Sequence, residues 1–414
     1  MADPSALRID IARLMGRLHA LGAVGALEGG GVCRLALSEA ERQGRDLVTG
    51  WMRAQGLEVH IDQIGNVWGV REGTQGGPPV MMGSHIDTVA TGGLYDGNLG
   101  VLAGLEVLQV LDEAGLQTRH PMAVGFFTNE EGARFSPDMM GSAVHQGSLD
   151  LEEALEQRDA EGVSVREALS AIGYVGEHPV GSSRAHSFLE LHIEQGPLLE
   201  REGVTIGAVT SVQGISWTEW TIEGTSNHAG TTPMAMRHDA GLVAARIAVK
   251  ARAIATELGG AQLGTTGFIQ LEPNLVNVVA RRARVTVDLR NTDWEILQGA
   301  IDRMAEFAHG AAEAEGCQIS ARTMAHFPPV DFDPQMVDLV EATARDLGHS
   351  VRRMPSGAGH DAQMFAPNCP SAMIFVPSQG GLSHNVREYT APEDLEAGAN
   401  VLLQVALRQA EVLA

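Results

Sequence analysis

The sequence predicts an α/β fold in which a sheet sandwiched by helices forms one domain and a separate α+β domain is inserted into it. Three observations carry the prediction. Helical and strand-like apolar patterns alternate through the first half of the 414 residues, as in a layer with helices on both sheet faces. From about Ile206 to Phe327 the texture turns to strand-like alternation broken by two long helical patterns, and after Pro328-Pro329 the first texture returns. The length also exceeds what one core usually fills. The expected division is therefore a discontinuous domain, residues 1–210 and 328–414, with an insertion at 211–327.

Taken in order, residues 5–27 and 38–55 space their apolar side chains as helices do, and Val80-Met81-Met82-Gly83-Ser84 is a buried strand. Gly97 to Ala114 is helical and stopped by Gly115; Met122 to Thr128 and Phe188 to His192 follow as apolar strands. Within the insertion, Trp217 to Glu223 and Ala283 to Leu289 alternate as half-buried strands, and 237–257 and 293–315 are helical. A helix near 334–347, a buried strand from Ala372 to Val376 and a closing helix from about Pro392 complete the first domain. No internal repeat or low-complexity segment interrupts this order.

Composition narrows the function classes. A formal net charge of -23 argues against nucleic acid and against anionic membranes, both of which demand a basic face. It does not exclude a small anionic substrate, because one local arginine can override the average field. Apolar stretches are broken long before the roughly 20 residues that span a bilayer. Met1-Ala2-Asp3-Pro4-Ser5 lacks the basic start and apolar run of a secretory signal, so a cytoplasmic location is expected. Cys33, Cys317 and Cys369 are odd in number and far apart, as reduced thiols rather than a disulfide or metal framework would be.

Histidines beside carboxylates and glycines are the informative pattern. His85-Ile86-Asp87, Tyr95-Asp96-Gly97, Glu130-Glu131, His192 and His384 lie at strand ends or in glycine-bounded loops, where chemistry collects in open α/β sheets. Alone, each has an ordinary explanation: a polar loop histidine, a turn aspartate, a glutamate pair at a helix start. Together they form the imidazole and carboxylate set of a catalytic zinc, manganese or cobalt site. Five ligands are too many for one tetrahedral ion; they suit two ions about 3.5 Å apart sharing a carboxylate and a water, an arrangement used for hydrolysis.

Gly83-Ser84-His85-Ile86-Asp87-Thr88-Val89, Tyr95-Asp96-Gly97-Asn98-Leu99-Gly100-Val101, Thr128 to Phe135 (TNEEGARF) and His192-Ile193-Glu194-Gln195-Gly196-Pro197 together resemble the N-carbamoyl-L-amino-acid hydrolases. Allantoate amidohydrolases and bacterial-type β-ureidopropionases share the pattern, within the wider co-catalytic zinc aminoacylase and carboxypeptidase group. Asn227 to Met234 (NHAGTTPM) and Gly381-Leu382-Ser383-His384-Asn385 extend the likeness over nearly the whole chain. The resemblance implies a metal-binding catalytic domain with an inserted lid or dimerisation domain. It implies His85 and His192 on one metal, Glu131 and His384 on the other, Asp96 bridging, Glu130 as general base, and Asp87 accepting the other N–H of the His85 ring.

For the substrate, Arg290 can grip a carboxylate bidentately. Read alone in so acidic a chain, it would more readily form an internal salt bridge; the resemblance gives it the substrate carboxylate, with Asn277 as companion. His228 is similar to a histidine that crosses a dimer interface to stabilise the oxyanion, which implies a homodimer. Gln195 and Gly359 resemble substrate-contacting positions, and His360-Asp361 shapes the loop near the site. The implied reaction is hydrolysis of a ureido group from a small carboxylate-bearing substrate. N-carbamoyl-L-amino acids are the first choice, ahead of allantoate, N-carbamoyl-β-alanine and N-acyl amino acids. A non-catalytic metal-binding relic would not need Glu130.

Overall fold

The structure, a computed structural model, describes residues 3–413; Met1, Ala2 and Ala414, at the outer ends of the expected first domain, lie outside the described residues. The chain divides into two compact units, Met1–Thr210 with Asp331–Ala414, and Ser211–Val330. No helix among the described residues is long and apolar enough to cross a membrane, and all three cysteines are free.

The first unit is built on a mixed sheet of nine strands among the described residues, ordered Glu58–Ile61, Val67–Arg71, Met122–Phe126, Val80–Ser84, Ser187–Ile193, Ser371–Val376, Ile206–Val212 and Val330–Asp331, with Val351–Ser356 beside Ile206–Val212. Its centre is parallel: Val80–Ser84 runs parallel to both Met122–Phe126 and Ser187–Ile193, and Ser371–Val376 parallel to Ser187–Ile193. Those four strands are buried along their whole length, which is why they read as continuous apolar runs rather than alternating ones. Helices Asn98–Ala114 and Pro392–Ala410 are themselves largely buried. The four parallel strands end on the same side of the sheet; His85 follows Val80–Ser84 at once, Glu130 lies four residues past Met122–Phe126, His192 is the last but one residue of Ser187–Ile193 and His384 lies in the loop after Ser371–Val376.

The second unit is a sheet ordered Ile269–Glu272, Arg282–Asn291, Gly214–Glu223 and Gln318–Phe327, with Leu263–Thr265 also on Arg282–Asn291. Arg282–Asn291 alternates strictly between buried and more exposed positions, the period-2 signature of a half-covered strand. Its inward Val285, Val287 and Leu289 pack with Val243, Ile247 and Ile254 of helix Ala240–Leu258 and with Leu297 and Met304 of helix Trp294–Glu315.

The element ends show where local chemistry overrides apolar spacing. The helix expected over 5–27 occupies only Ile11–Gly22, because Asp10 accepts the Arg13 N–H and caps it, while Pro4–Ala6 is a separate 3-10 turn. The helix expected from 237 begins at Ala240, where Asp239 accepts from Gly241 and Leu242. The strand expected to reach Thr128 stops at Phe126, since the Thr128 N–H leaves the ladder for Asn66 Oδ1 at 3.0 Å. That departure turns the next residues out of the sheet.

Candidate metal centre

Each ligand-bearing segment is held by its own local device. His85 follows Val80–Ser84 directly, and its Nδ1 lies 2.9 Å from the Asp87 carbonyl oxygen. A carbonyl only accepts, so Nδ1 carries the proton and Nε2 presents its lone pair to the site. His192, within Ser187–Ile193, is fixed the same way by the Ile193 carbonyl at 2.9 Å. Asp96 precedes helix Asn98–Ala114 across Gly97, whose φ of 65° is left-handed and at which a Cβ would collide with the His85 ring. Glu130 and Glu131 sit in an irregular turn rather than at a helix start. Asn129 pins the turn by donating to the carbonyls of Phe135 and Pro137 at 2.9 and 3.0 Å.

The side chains converge on Asp96. Its Oδ1 lies 3.2 Å from His192 Nε2 and 3.6 Å from His85 Nε2; its Oδ2 lies 3.4 Å from His384 Nε2, which is 3.1 Å from Glu131 Oε2. The two oxygens of one carboxylate thus face two separate donor groups, His85–Asp96–His192 and Asp96–Glu131–His384. Glu130 Oε2 stands 3.3 Å from His85 Nε2 and belongs to neither group. A further cluster, Glu190–His192–His360, lies behind the first. Its His360 ring centroid lies 4.6 Å from that of His192.

The electrostatics fit a cation. Among the described residues, the ion pairs of Asp96, Glu130 and Glu131 are all with histidines, although Asp96 and Glu130 are only 3% and 7% exposed. Burial opposes a charged His85, yet Glu130 and Asp96 outweigh it and hold the ring well above its ordinary value. Burial likewise opposes an ionised Asp96, but His192, His384 and His85 keep it well below the usual carboxylate range. His384, bonded to Asp96 and Glu131, is raised to about 10. Burial pushes Glu130 well up and Asp87 to about 7. So many buried acids require positive charge among them, and the nitrogen and oxygen donor sets suit first-row divalent ions.

The remaining expected residues fall in two places. Asp87 is here, but its Oδ1 is 3.8 Å from His85 Nδ1; the carboxylate instead accepts the Glu130 N–H on Oδ1 and the Glu131 N–H on Oδ2, each at 3.3 Å. The expected bond to the ring is made by its main chain, because the carboxylate is turned toward the glutamate loop. Gln195, at φ 57°, donates Nε2 to Asp96 Oδ2 at 2.9 Å. Gly359 lies in the first unit against Met139. His228, Asn277 and Arg290 belong to the second unit. There the exposed His228 pairs with Val278, and the Asn277 carbonyl accepts the Ala229 N–H at 2.9 Å. The Gly230 N–H donates to His228 Nδ1 at 3.0 Å, which leaves the proton on Nε2. Arg290 is in an internal salt bridge, with Nη2 2.9 Å and Nε 3.0 Å from Asp288, and its guanidinium lies 5.8 Å from the Trp217 ring centre. Not foreseen were the roles of Glu190, of Ser383 beside His384, and of Glu388.

Residues 81–408 match Peptidase family M20/M25/M40. An N-carbamoyl-L-amino-acid amidohydrolase of Rhizobium meliloti is 41% identical over 407 residues, covering 98% of this chain and 98% of that protein. An allantoate amidohydrolase of Bacillus subtilis is 37% identical, covering 91% and 92%. A solved amidase of the hydantoinase/carbamoylase family from Burkholderia multivorans superposes with a TM-score of 0.92 at 41% identity, covering 98% of this chain and 99% of that one.

Proposed function

The chain belongs to peptidase family M20/M25/M40, and from that premise we propose that it hydrolyses the N-carbamoyl group of an N-carbamoyl-L-amino acid. It is a metal-dependent hydrolase of C–N amide bonds. The observation that carries the finer reading is the split of Asp96, one oxygen toward His85 and His192 and the other toward His384, with Glu130 beside the pair but outside both donor groups. In this reading His85, His192 and Asp96 hold one divalent ion and Asp96, Glu131 and His384 a second, the metal being zinc, manganese or cobalt. The chemistry such ions supply when bound is polarisation of the ureido carbonyl and a lowered water pKa.

The chain's own groups then do the following. Glu130 accepts a proton from the attacking water and returns it to the departing amino nitrogen. Asp87 holds the glutamate loop in place through the Glu130 and Glu131 N–H groups. His228, with its proton on Nε2, donates to the developing oxyanion, acting across a homodimer. The exposed apolar side chains flanking it, among them Met234, Met236, Leu275 and Val276, support a covered face there. Arg290 and Asn277 receive the substrate carboxylate, with Gln195 and Gly359 lining the reacting end. Water adds to the ureido carbon, the bond to the amino nitrogen breaks, and the carbamate released yields carbon dioxide and ammonia beside the free amino acid.

Allantoate is the second reading, favoured by the Bacillus subtilis relative, since it too offers a ureido carbonyl and a carboxylate. The deciding test is a panel of N-carbamoyl-L-amino acids, N-carbamoyl-β-alanine, allantoate and N-acyl amino acids with manganese-reconstituted protein, following ammonia and amine release. The expected result is ammonia together with an α-amino acid. Release of acid and amine without ammonia would replace ureido hydrolysis by deacylation, and allantoate as the preferred substrate would install the second reading.

A further inference from the structure

Building on the two-ion reading above, we propose that Glu388 is a positioning residue of the metal centre: it ties the loop carrying His384 to the loop carrying Asp96 and so sets the Asp96–Glu131–His384 half of the site.

His384 needs such a tie. Its side chain is 50% exposed while that of its partner Asp96 is 4% exposed, and its φ of 53° is a left-handed conformation that non-glycine residues adopt at a cost. Burial therefore does not hold this ligand; hydrogen bonds of its own loop must. Glu388 is where they originate. It is 5% exposed between the exposed Arg387 and Tyr389, so the chain turns one carboxylate inward at a surface loop. Oε1 accepts the Tyr95 N–H at 3.0 Å and the Asp96 N–H at 3.2 Å; Oε2 is 3.0 Å from Ser383 Oγ.

Ser383, adjacent to the ligand, is in turn 2.9 Å from Asp96 Oδ2, the oxygen that faces His384. One buried carboxylate thus grips the main chain of the bridging aspartate on one side and, on the other, shares with Asp96 the single hydroxyl proton of the exposed histidine's neighbour. Gly93 makes room for it, since a Cβ there would overlap the Glu388 carboxyl group. Its partners are N–H and O–H donors rather than a cation, and burying an acid on those terms is costly for a surface loop that had only to turn.

The test is stepwise cobalt titration of the metal-free protein, followed by visible absorption and by metal per chain after dialysis, alongside the thermal midpoint of each metal-free variant. Wild type is expected to take two equivalents. Glu388→Ala should weaken one equivalent on the order of 10–100-fold, as removal of a ligand's supporting partner does, and affect the other less. Glu388→Gln should recover most of that loss, because its amide oxygen still accepts both N–H groups. Ser383→Ala should fall between them.

A folded Glu388→Ala with two equivalents at wild-type affinity would overturn the proposal. So would an equal weakening of both equivalents in step with a fallen metal-free midpoint, which marks general destabilisation. If Glu388→Ala does not fold, Ser383→Ala decides on the same criterion. Wild type that binds fewer than two equivalents defeats the two-ion reading itself, a result distinct from any behaviour of the variants.

Discussion

The acidic centre of the first unit and the residues of the second proposed to grip the substrate are built on opposite terms. His85 and His192 are each 1% exposed, at the ends of strands buried throughout, and their tautomers are set by main-chain carbonyls. His228 and Asn277 are exposed on loops of the second unit, and Arg290 is engaged by an aspartate two residues away. Folding the first unit assembles its chemistry as a by-product, and buried acids there cannot be tolerated without compensating charge. Folding the second unit leaves His228 and Asn277 at the surface and Arg290 in a salt bridge to Asp288. Loss of a group in the first region should therefore abolish a chemical step or a metal, and loss in the second should alter recognition.

The largest effect is expected from two neighbours with different jobs. Glu130→Gln should lower kcat by about 10²–10⁴-fold, the usual contribution of a positioned base, with metal content unchanged. Glu131→Ala should lose metal, and activity with it. Metal analysis beside kcat separates them, and a Glu130→Gln enzyme of near-normal rate would remove the glutamate from the mechanism. Glu130 belongs to neither donor group while Glu131 belongs to one, so the contrast tests the geometry directly.

The first region was also the more legible. The four parallel strands announced themselves as short apolar runs, and the residues just past or near their ends carried the histidines and glutamates. The edge strand Glu58–Ile61 and its neighbour Val67–Arg71 gave no such signal, being only partly buried. Contacts invisible in the chain are those that join distant loops by one side chain. Gln195 reaches Asp96 across 99 positions, Ser383 across 287 and Glu388 across 292. Each stands in a loop whose sequence serves its own turn equally well. Arg290 carried two readings, an internal salt bridge and a substrate anchor. The structure contains the first, and the second depends on what a substrate does to it.

His228 links the two regions if it acts across a dimer. His228→Ala should cost about 10²–10³-fold in kcat, the scale of one oxyanion donor. The sharper measurement mixes His228→Ala with Glu130→Gln under conditions that exchange subunits. Half of the resulting dimers are mixed, and each holds one site with an intact Glu130 facing an intact partner histidine, so about a quarter of wild-type activity should return. A mixture as inactive as its components would confine His228 to its own chain, and a fully active His228→Ala would remove it from the reaction.

The smallest effects are expected at the carboxylate anchor, and there direction matters more than size. Arg290→Ala should raise KM for carboxylate substrates roughly 10–100-fold with little change in kcat, the loss of a charged hydrogen-bonding partner worth about 1.5–3 kcal/mol. Asp288 holds the Nε and Nη2 edge of this guanidinium at 3.0 and 2.9 Å, and Trp217 lies against its face. A carboxylate substrate reaching this edge would meet Asp288 there. If Asp288 serves to hold the fork ready, so that less freedom is lost on binding, Asp288→Asn should raise KM a further few-fold, on the order of 0.5–1 kcal/mol. If instead it competes with the substrate, removing its charge should lower KM. Pre-organisation is the expected outcome, because Asp288 fixes the guanidinium through two of its nitrogens, and the sign of the KM change in Asp288→Asn decides between the two.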